Sequence, residues 1–190
     1  NRHDRPDPEQ IAATLGLPLF VKPNASGSSF GVTKVKRTEE LLPAIEEAFK
    51  ESDRVLIEEY IAGREISCGV MIAGGKEYIF PITELISENE FFDYDAKYKG
   101  LAKEVTPAQL APELVKKINR MTLDAYKALN CRGVVRIDFI VKGEDPYLIE
   151  INSIPGMSAH SIIPQQARQI GMSVSELYDI IIEDTYQCAK

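Results

Sequence analysis

The chain has 190 residues and a mass of 21.2 kDa, enough for one full-sized domain or for two small lobes sharing a cleft. Hydrophobic residues make up 44% and charged residues 27%, a balance that excludes disordered and fibrous classes, and no run approaches the ~20 apolar residues of a membrane span. With 22 Lys and Arg against 29 Asp and Glu, a net charge of −7, neither nucleic acid nor an anionic membrane is the expected partner.

In chain order, residues 1–10 (NRHDRPDPEQ) are polar, carry two prolines and lack the apolar core of a signal peptide. They read as a linker or loop, and the missing initiator Met makes the chain look like the C-terminal part of a longer polypeptide. Residues 19–22 form a short apolar strand stopped by Pro23, followed by the small-residue loop NASGSSFG and a second strand over 32–35. A helix starts at Thr38, with Leu41, Ile45, Ala48 and Phe49 at helical spacing and Pro43 in its first turn. Residues 54–61 read as a strand. From Glu65 alternation takes over, in strands 65–72 and 77–86 joined by the turn AGGK. The aperiodic stretch 87–107 is longer than the ~15 residues of an ordinary loop, a length typical of functional lids. Residues 112–130 form an amphipathic helix with Leu114, Ile118, Met121, Ala125 and Leu129 on one face. Strands 134–141 and 147–151 follow, then a short helix over 164–170 ended by Gly171, and a capping-box sequence at Ser173 and Glu176 that opens a last helix to about residue 187. Cys68, Cys131 and Cys188 are far apart and without metal-ligand spacing, so reduced cytosolic thiols are expected. The predicted class is α+β, with mainly antiparallel sheet and two lobes meeting near residue 65.

Polar residues concentrate inside two apolar strands. Arg136 and Asp138 share one face of theirs, as do Glu150 and Asn152. A hairpin with a three-residue loop, 143–145, would set Asp138 opposite Glu150 and Arg136 opposite Asn152. Two carboxylates and an amide oxygen are hard donors that suit Mg²⁺ completed by water and phosphate oxygens; a solvated ribbon laced by cross-strand salt bridges shows the same alternation. The following loop, NSIPGMSAHS, leads into a helix whose first N–H groups make a natural carboxylate site. The loop SGSS at 26–29, with Lys22 before it, allows close backbone approach to phosphate, and is equally a plain turn. Glu58, Glu59, Tyr60 and Ile61, then Glu65, offer a strand end to a purine edge and a ribose, or are ordinary exposed acids. Lys97 and Tyr98 lie in the lid stretch, where a solvated loop is the alternative. His3 reads as solvated, and His160 as structural or capping, since no second ligand is near.

Five segments, in this order and spacing, resemble the D-alanine–D-alanine ligase family of ATP-grasp carboxylate–amine ligases: LPLFVKPNASGSSFGV, VLIEEYIAGREIS, FFDYDAKY, GVVRIDF and LIEINSIPGMSAHSIIP. The likeness runs from about Leu15 to the C-terminus. It implies an ATP-grasp fold, two α+β lobes with mainly antiparallel sheets and the nucleotide held between them. Residues 1–10 would be a linker, 11–64 a partial central lobe and 65–190 the C-terminal lobe, with the family's N-terminal domain absent from this chain. The implied reaction joins two D-alanines through an acyl phosphate at the expense of ATP, for peptidoglycan precursors in the bacterial cytoplasm. ATP, two Mg²⁺ (or Mn²⁺) ions and D-alanine are the implied ligands, and a homodimer of the full-length protein is compatible with the resemblance.

Position by position, the resemblance implies that Lys22 contacts ATP phosphate and that Phe20, Phe91 and Ile149 line the adenine pocket. Glu59, Tyr60 and Ile61 would form the hinge against adenine, with Glu58 and Glu65 as nucleotide-binding acids. Lys97 would hold the γ-phosphate, and Asp138, Glu150 and Asn152 the metals. Arg136 and the Gly156 backbone would stabilise the oxyanion of the tetrahedral intermediate. Ser161 and Ile162 would bind the second substrate's carboxylate, and Ser28 and Tyr98 would close the lid over the first. Glu59 stands where the family commonly has Lys, and Tyr60 where it commonly has Trp. A D-alanine–D-lactate or D-alanine–D-serine ligase is the nearest alternative, with Tyr98 favouring the dipeptide. A non-catalytic nucleotide-binding fragment is another, since this piece alone is expected to bind nucleotide weakly and turn over little.

Overall fold

Asp7 and Pro8 open a helix inside the stretch whose polarity suggests a loop. In the computed structural model, which describes residues 6–26, 30–87 and 102–188, α1 (Pro8–Leu15) has Asp7 as its cap. The Asp7 carboxylate accepts the N–H groups of Glu9 and Gln10 at 3.0 and 3.3 Å. Proline suits the first helical position, where its missing N–H costs nothing. The residues that look like linker thus include a helix start.

The chain divides into two units between Ile61 and Ala62. In the first, β1 (Leu19–Pro23), β2 (Thr33–Val35) and β3 (Val55–Glu59) make an antiparallel sheet in the order β2-β1-β3. Leu19 and Val21, alternate positions of β1, pack with Val35 against Leu41, Ala44, Ile45 and Ala48 of α2 (Leu41–Ala48). A 3₁₀ turn, Thr38–Glu40, leads into that helix, and Pro43 sits in its first turn, where no intrahelical donor is lost.

The second unit is built on β4 (Arg64–Ala73), β5 (Lys76–Ile79), β6 (Thr83–Ser87), β7 (Ala102–Val105), β8 (Val134–Lys142) and β9 (Asp145–Asn152), all antiparallel, in the order β7-β6-β4-β8-β9 with β5 also on β4. The single strand expected over 77–86 is two. Pro81 has no N–H for the ladder, so β5 pairs with Val70 to Ala73, β6 pairs with Glu65 to Ser67, and the segment between them leaves the edge of β4. Residues 102–105, inside the expected lid, form a strand on β6; 88–101 lie outside the described residues.

α3 (Pro112–Ala128) covers one face of this sheet, with Ile118 and Tyr126 among Ile66, Cys68, Val70, Val135, Ile137, Phe139 and Val141. Its buried stripe is Ile118, Thr122 and Tyr126. Leu129, expected on the buried face, lies beyond the last helical residue and is 62% exposed. An apolar count misses the stripe because Thr and Tyr bury their hydrocarbon while carrying a hydroxyl. On the opposite face, α4 (Ile162–Gln169) and α5 (Val174–Cys188) contribute Ile163, Ala167 and Leu177 to a cluster with Met71, Phe80 and Val134. The capping box is in place: Ser173 N–H donates to Glu176 Oε2 at 2.7 Å and Glu176 N–H to Ser173 Oγ at 3.1 Å.

Cys68 and Cys131 are free thiols, and burial pushes the Cys68 thiol up to about 12. No helix among the described residues is long and apolar enough to cross a membrane. The Tyr126 hydroxyl donates to Gly133 O at 2.9 Å and accepts the Ile72 N–H at 3.4 Å, tying α3 to the end of the sheet. Tyr126→Phe removes both bonds without opening a large cavity, and a loss of about 1 kcal/mol in urea unfolding is expected; an unchanged midpoint would show that water replaces the hydroxyl.

Candidate functional site

The β8–β9 hairpin carries Arg136, Asp138, Glu150 and Asn152. Its loop is two residues, Gly143 and Glu144, with Lys142 opposite Asp145, not the three expected. Gly143, at φ 64°, takes the first central position of a II′-type turn, which closes antiparallel strands with their natural twist. Continued from that turn without interruption, the register would set Asp138 against Ile149, and Glu150 would face the wrong side. A bulge prevents this. Phe139 pairs with Leu148 and Asp138 with Glu150, leaving Ile149 as the extra residue, so Arg136 faces Asn152. The cross-strand pairs expected from sequence are present by a different route. Ile149, expected at an adenine pocket, is the half-buried bulge residue.

Odd-numbered residues of β8 pack under α3, so Arg136 and Asp138 point to the other face. Asp138 is only 8% exposed and is surrounded by donors. Arg136 grips it with Nε on Oδ1 at 2.9 Å and Nη2 on Oδ2 at 2.8 Å. Ser67, its neighbour across β4, donates Oγ to Oδ1 at 2.6 Å, and Asn152 donates Nδ2 to Oδ2 at 2.9 Å. Both carboxylate oxygens therefore carry two partners, the full complement. Asn152 Nδ2 also lies 3.3 Å from Glu150 Oε1, which leaves its carbonyl oxygen as an acceptor. Burial by itself would lower the Arg136 pKa. The hydrogen bonds and charge of Asp138, with the charges of Glu150 and Glu65, outweigh it and raise the value, so the guanidinium stays cationic at any working pH.

Two carboxylates and an amide oxygen on one face fit Mg²⁺ or Mn²⁺, ions that take few protein ligands and complete their shell with water and phosphate. No group of three or more His, Cys, Asp or Glu side chains that could hold a metal ion occurs among the described residues. A cation on Asp138 would displace one of its present donors.

The loop after β9 folds back on the start of α4. Ser161 is the cap of that helix, its Oγ lies 2.8 Å from Ser158 Oγ, and Ile162 begins the helix largely buried. A Cβ on Gly156 would stand 2.8 Å from Ser161 Oγ, so loop and cap are in close approach. The His160 imidazole is exposed and its carbonyl accepts Gln165 Nε2 at 2.8 Å.

In the first unit, Phe20 and Lys22 face away from the α2 core. Lys22 Nζ pairs with Glu58 Oε2 at 2.7 Å, both side chains being partly buried. Phe20 meets Tyr60 edge-on with centroids 5.9 Å apart, and Lys34 Nζ lies 3.8 Å from the Tyr60 ring centre. Glu59 pairs with Leu19 and so shares the opposite face, exposed at the sheet edge. Tyr60 N–H donates to Pro18 O at 3.2 Å, and Ile61, half-buried, ends the unit. Ser28, Phe91, Lys97 and Tyr98 lie outside the described residues.

Two residues at this site are not singled out by sequence reasoning, Ser67 and Gln166. Ser67 was within reach, because it follows Glu65 by two positions and so shares its face. For Gln166 no sequence signal exists; a glutamine on a short helix looks solvated.

A family model described as D-ala D-ala ligase C-terminus matches residues 1–183. The D-alanine–D-alanine ligase of Phocaeicola vulgatus is 50% identical over 179 residues, 94% of this chain and 55% of that protein. The ligase of the same name from Porphyromonas gingivalis W83 is 46% identical over 184 residues, 96% of this chain and 56% of that protein. The chain thus spans about half the length of the curated relatives it matches. Among solved structures, a D-alanine–D-alanine ligase of Bacillus anthracis complexed with ATP superposes with a TM-score of 0.83 at 33% identity, covering 98% of this chain and 58% of that one. A D-Ala:D-Ser ligase of Enterococcus faecalis gives 0.80 at 37% identity, over 92% of this chain and 51% of that one.

Proposed function

The chain belongs to the D-alanine–D-alanine ligase family, and from that premise we propose that it carries the nucleotide- and metal-binding surfaces of a ligase that joins two D-alanines while ATP is cleaved to ADP and phosphate. One observation carries the reading: Arg136, Asp138, Glu150 and Asn152 lie together on one sheet face, and the loop that follows Asn152 leads into the start of α4 at Ser161, whose hydroxyl does not cap the helix. A solvated ribbon of salt bridges would not bury its central carboxylate with all acceptor positions filled.

In this reading, residues 11–64 belong to the central lobe and 65–190 to the C-terminal lobe. Lys22 exchanges Glu58 for an ATP phosphate, Phe20 flanks the adenine with Phe91 and Ile149, and Glu59, Tyr60 and Ile61 present hinge backbone to its edge. Glu58 and Glu65 are the acids that bind the nucleotide, through its ribose. Asp138, Glu150 and Asn152 would hold Mg²⁺ or Mn²⁺, whose chemistry is to neutralise charge on the phosphates. The carboxylate of one D-alanine attacks the γ-phosphorus and ADP leaves, with Lys97 on the transferred group. The amine of the second D-alanine, oriented through its own carboxylate by Ser161 and the Ile162 N–H, attacks the acyl carbon. Its nitrogen loses a proton and inorganic phosphate leaves. Arg136 and the Gly156 N–H stabilise the oxyanion formed between these events, while Ser28 and Tyr98 keep water from the acyl phosphate. The setting is the bacterial cytoplasm, the product a peptidoglycan precursor, and the full-length protein a homodimer.

The test is phosphate release from ATP by the full-length polypeptide containing this chain, offered D-alanine, D-serine, D-lactate or L-amino acids. Release with D-alanine alone, lost in Glu150→Ala, is the expected result; Glu150 is exposed, so its removal leaves stability within about 0.5 kcal/mol. Release only with D-serine as the second substrate would move the assignment to the activity named for the E. faecalis neighbour. ATP binding without release under any condition would reduce the chain to a nucleotide-binding module.

A further inference from the structure

We propose that Gln166 is a positioning residue for Asp138, acting through Ser67, an inference that rests on the ligase reading above. Pro81 breaks the pairing along one edge of β4: β6 ends its contact at Ser67 and β5 begins at Val70. The Gly69 carbonyl in this gap accepts Phe80 N–H at 2.9 Å. The Gly69 N–H has no strand partner, and the fully buried amide of Gln166 fills the place of one. Its Oε1 accepts Gly69 N–H at 3.1 Å, and its Nε2 donates to Ser67 O at 3.0 Å and to Thr83 Oγ1 at 3.0 Å. A backbone N–H can only donate and a carbonyl only accept, so this pattern fixes which way the amide points.

The backbone is shaped to admit this side chain. A Cβ at position 69 would stand 2.6 Å from Gln166 Oε1 and 2.5 Å from Ile163 Cδ1, so glycine is what lets α4 approach. Burying a glutamine is unfavourable unless every polar atom is satisfied, and here both N–H groups and the oxygen are. Ser67, held by its carbonyl, turns its hydroxyl onto Asp138 Oδ1 at 2.6 Å. The helix that supplies Gln166 starts at Ser161 and Ile162. One amide therefore sets both the carboxylate proposed for metal binding and the helix start proposed for the second substrate. A plain structural plug would account for the burial, but not for the Ser67 hydroxyl ending on the site's most enclosed carboxylate.

The experiment uses the full-length polypeptide containing this chain, with Mn²⁺ titrated in the presence of ADP by electron paramagnetic resonance, alongside thermal unfolding and D-alanine-dependent phosphate release. Gln166→Leu and Ser67→Ala are each expected to weaken Mn²⁺ binding about 10- to 100-fold, the usual effect of losing a group that orients a ligand. The double variant should be no weaker than the worse single one, because both act on Asp138. Ser67→Thr, which keeps the hydroxyl, should bind like the parent protein. Only Gln166→Leu should also raise KM for the second D-alanine. Lowered thermal stability with an unchanged Mn²⁺ titration in both single variants would overturn the proposal, as would effects that multiply in the double variant. Should Gln166→Leu not fold, an unchanged titration in Ser67→Ala overturns it alone. A parent protein that binds Mn²⁺ and releases phosphate while the variants match it removes the positioning role only. A parent that does neither removes the ligase reading and this proposal with it.

Discussion

In the full-length polypeptide containing this chain, Asp138→Ala is expected to abolish the proposed D-alanine-dependent phosphate release and to destabilise the second unit by about 3–5 kcal/mol, the usual cost of removing one partner of a buried ion pair. The magnitude follows from what is left behind. Arg136 loses both of its hydrogen bonds to Asp138, Ser67 loses its acceptor, and Asn152 loses one of two carboxylate partners. The Arg136 side chain, 22% exposed, has little water to replace them. Removing both charges, in Arg136→Met with Asp138→Leu, should restore most of the stability, since an apolar pair of similar volume needs no desolvation of ions. It should remain inactive. Urea unfolding and phosphate release, measured on both variants, separate the two roles; activity surviving in Asp138→Ala would remove this carboxylate from the metal site.

Phe139→Ala tests the neighbouring position on the opposite face. Phe139 is fully buried in the cluster beneath α3, and its truncation is expected to cost about 3–5 kcal/mol. Its side chain makes no contact with the Arg136–Asp138 face, so kcat at low temperature should be kept per folded molecule while the urea midpoint falls sharply. The pair of results would show adjacent residues of one strand doing separate work, as strand alternation requires. A large loss of kcat in folded Phe139→Ala would mean that the bulge beside it depends on this side chain.

The metal-site hypothesis was legible in sequence because it rests on short-range rules. Arg136 and Asp138 share a face by their spacing alone, and so do Glu150 and Asn152. Ser173 and Glu176 formed their capping box as written. Alternation on both sides of Pro81 hides in sequence the break between the two strands that flank β4. Asp7 before Pro8 was a helix start lost in a polar stretch. The apolar pattern of α3 runs past the end of the helix to the exposed Leu129, whereas Thr122 and Tyr126 are the residues inside.

The hairpin gives the sharpest division. The sequence predicts its cross-strand pairs with a three-residue loop, and they arise from a two-residue turn compensated by a bulge at Ile149. Sequence by itself determined which residues of β8 and β9 share a face, where α3 and α5 begin, and the order of motifs that marks the family. Those depend on backbone geometry and on neighbours a few residues away. The bulge, the gap that Pro81 leaves in the β4 ladder and the buried amide of Gln166 that closes it were decided only by the tertiary structure. Each depends on which unpaired donor or acceptor a distant segment must satisfy, and no local pattern records that.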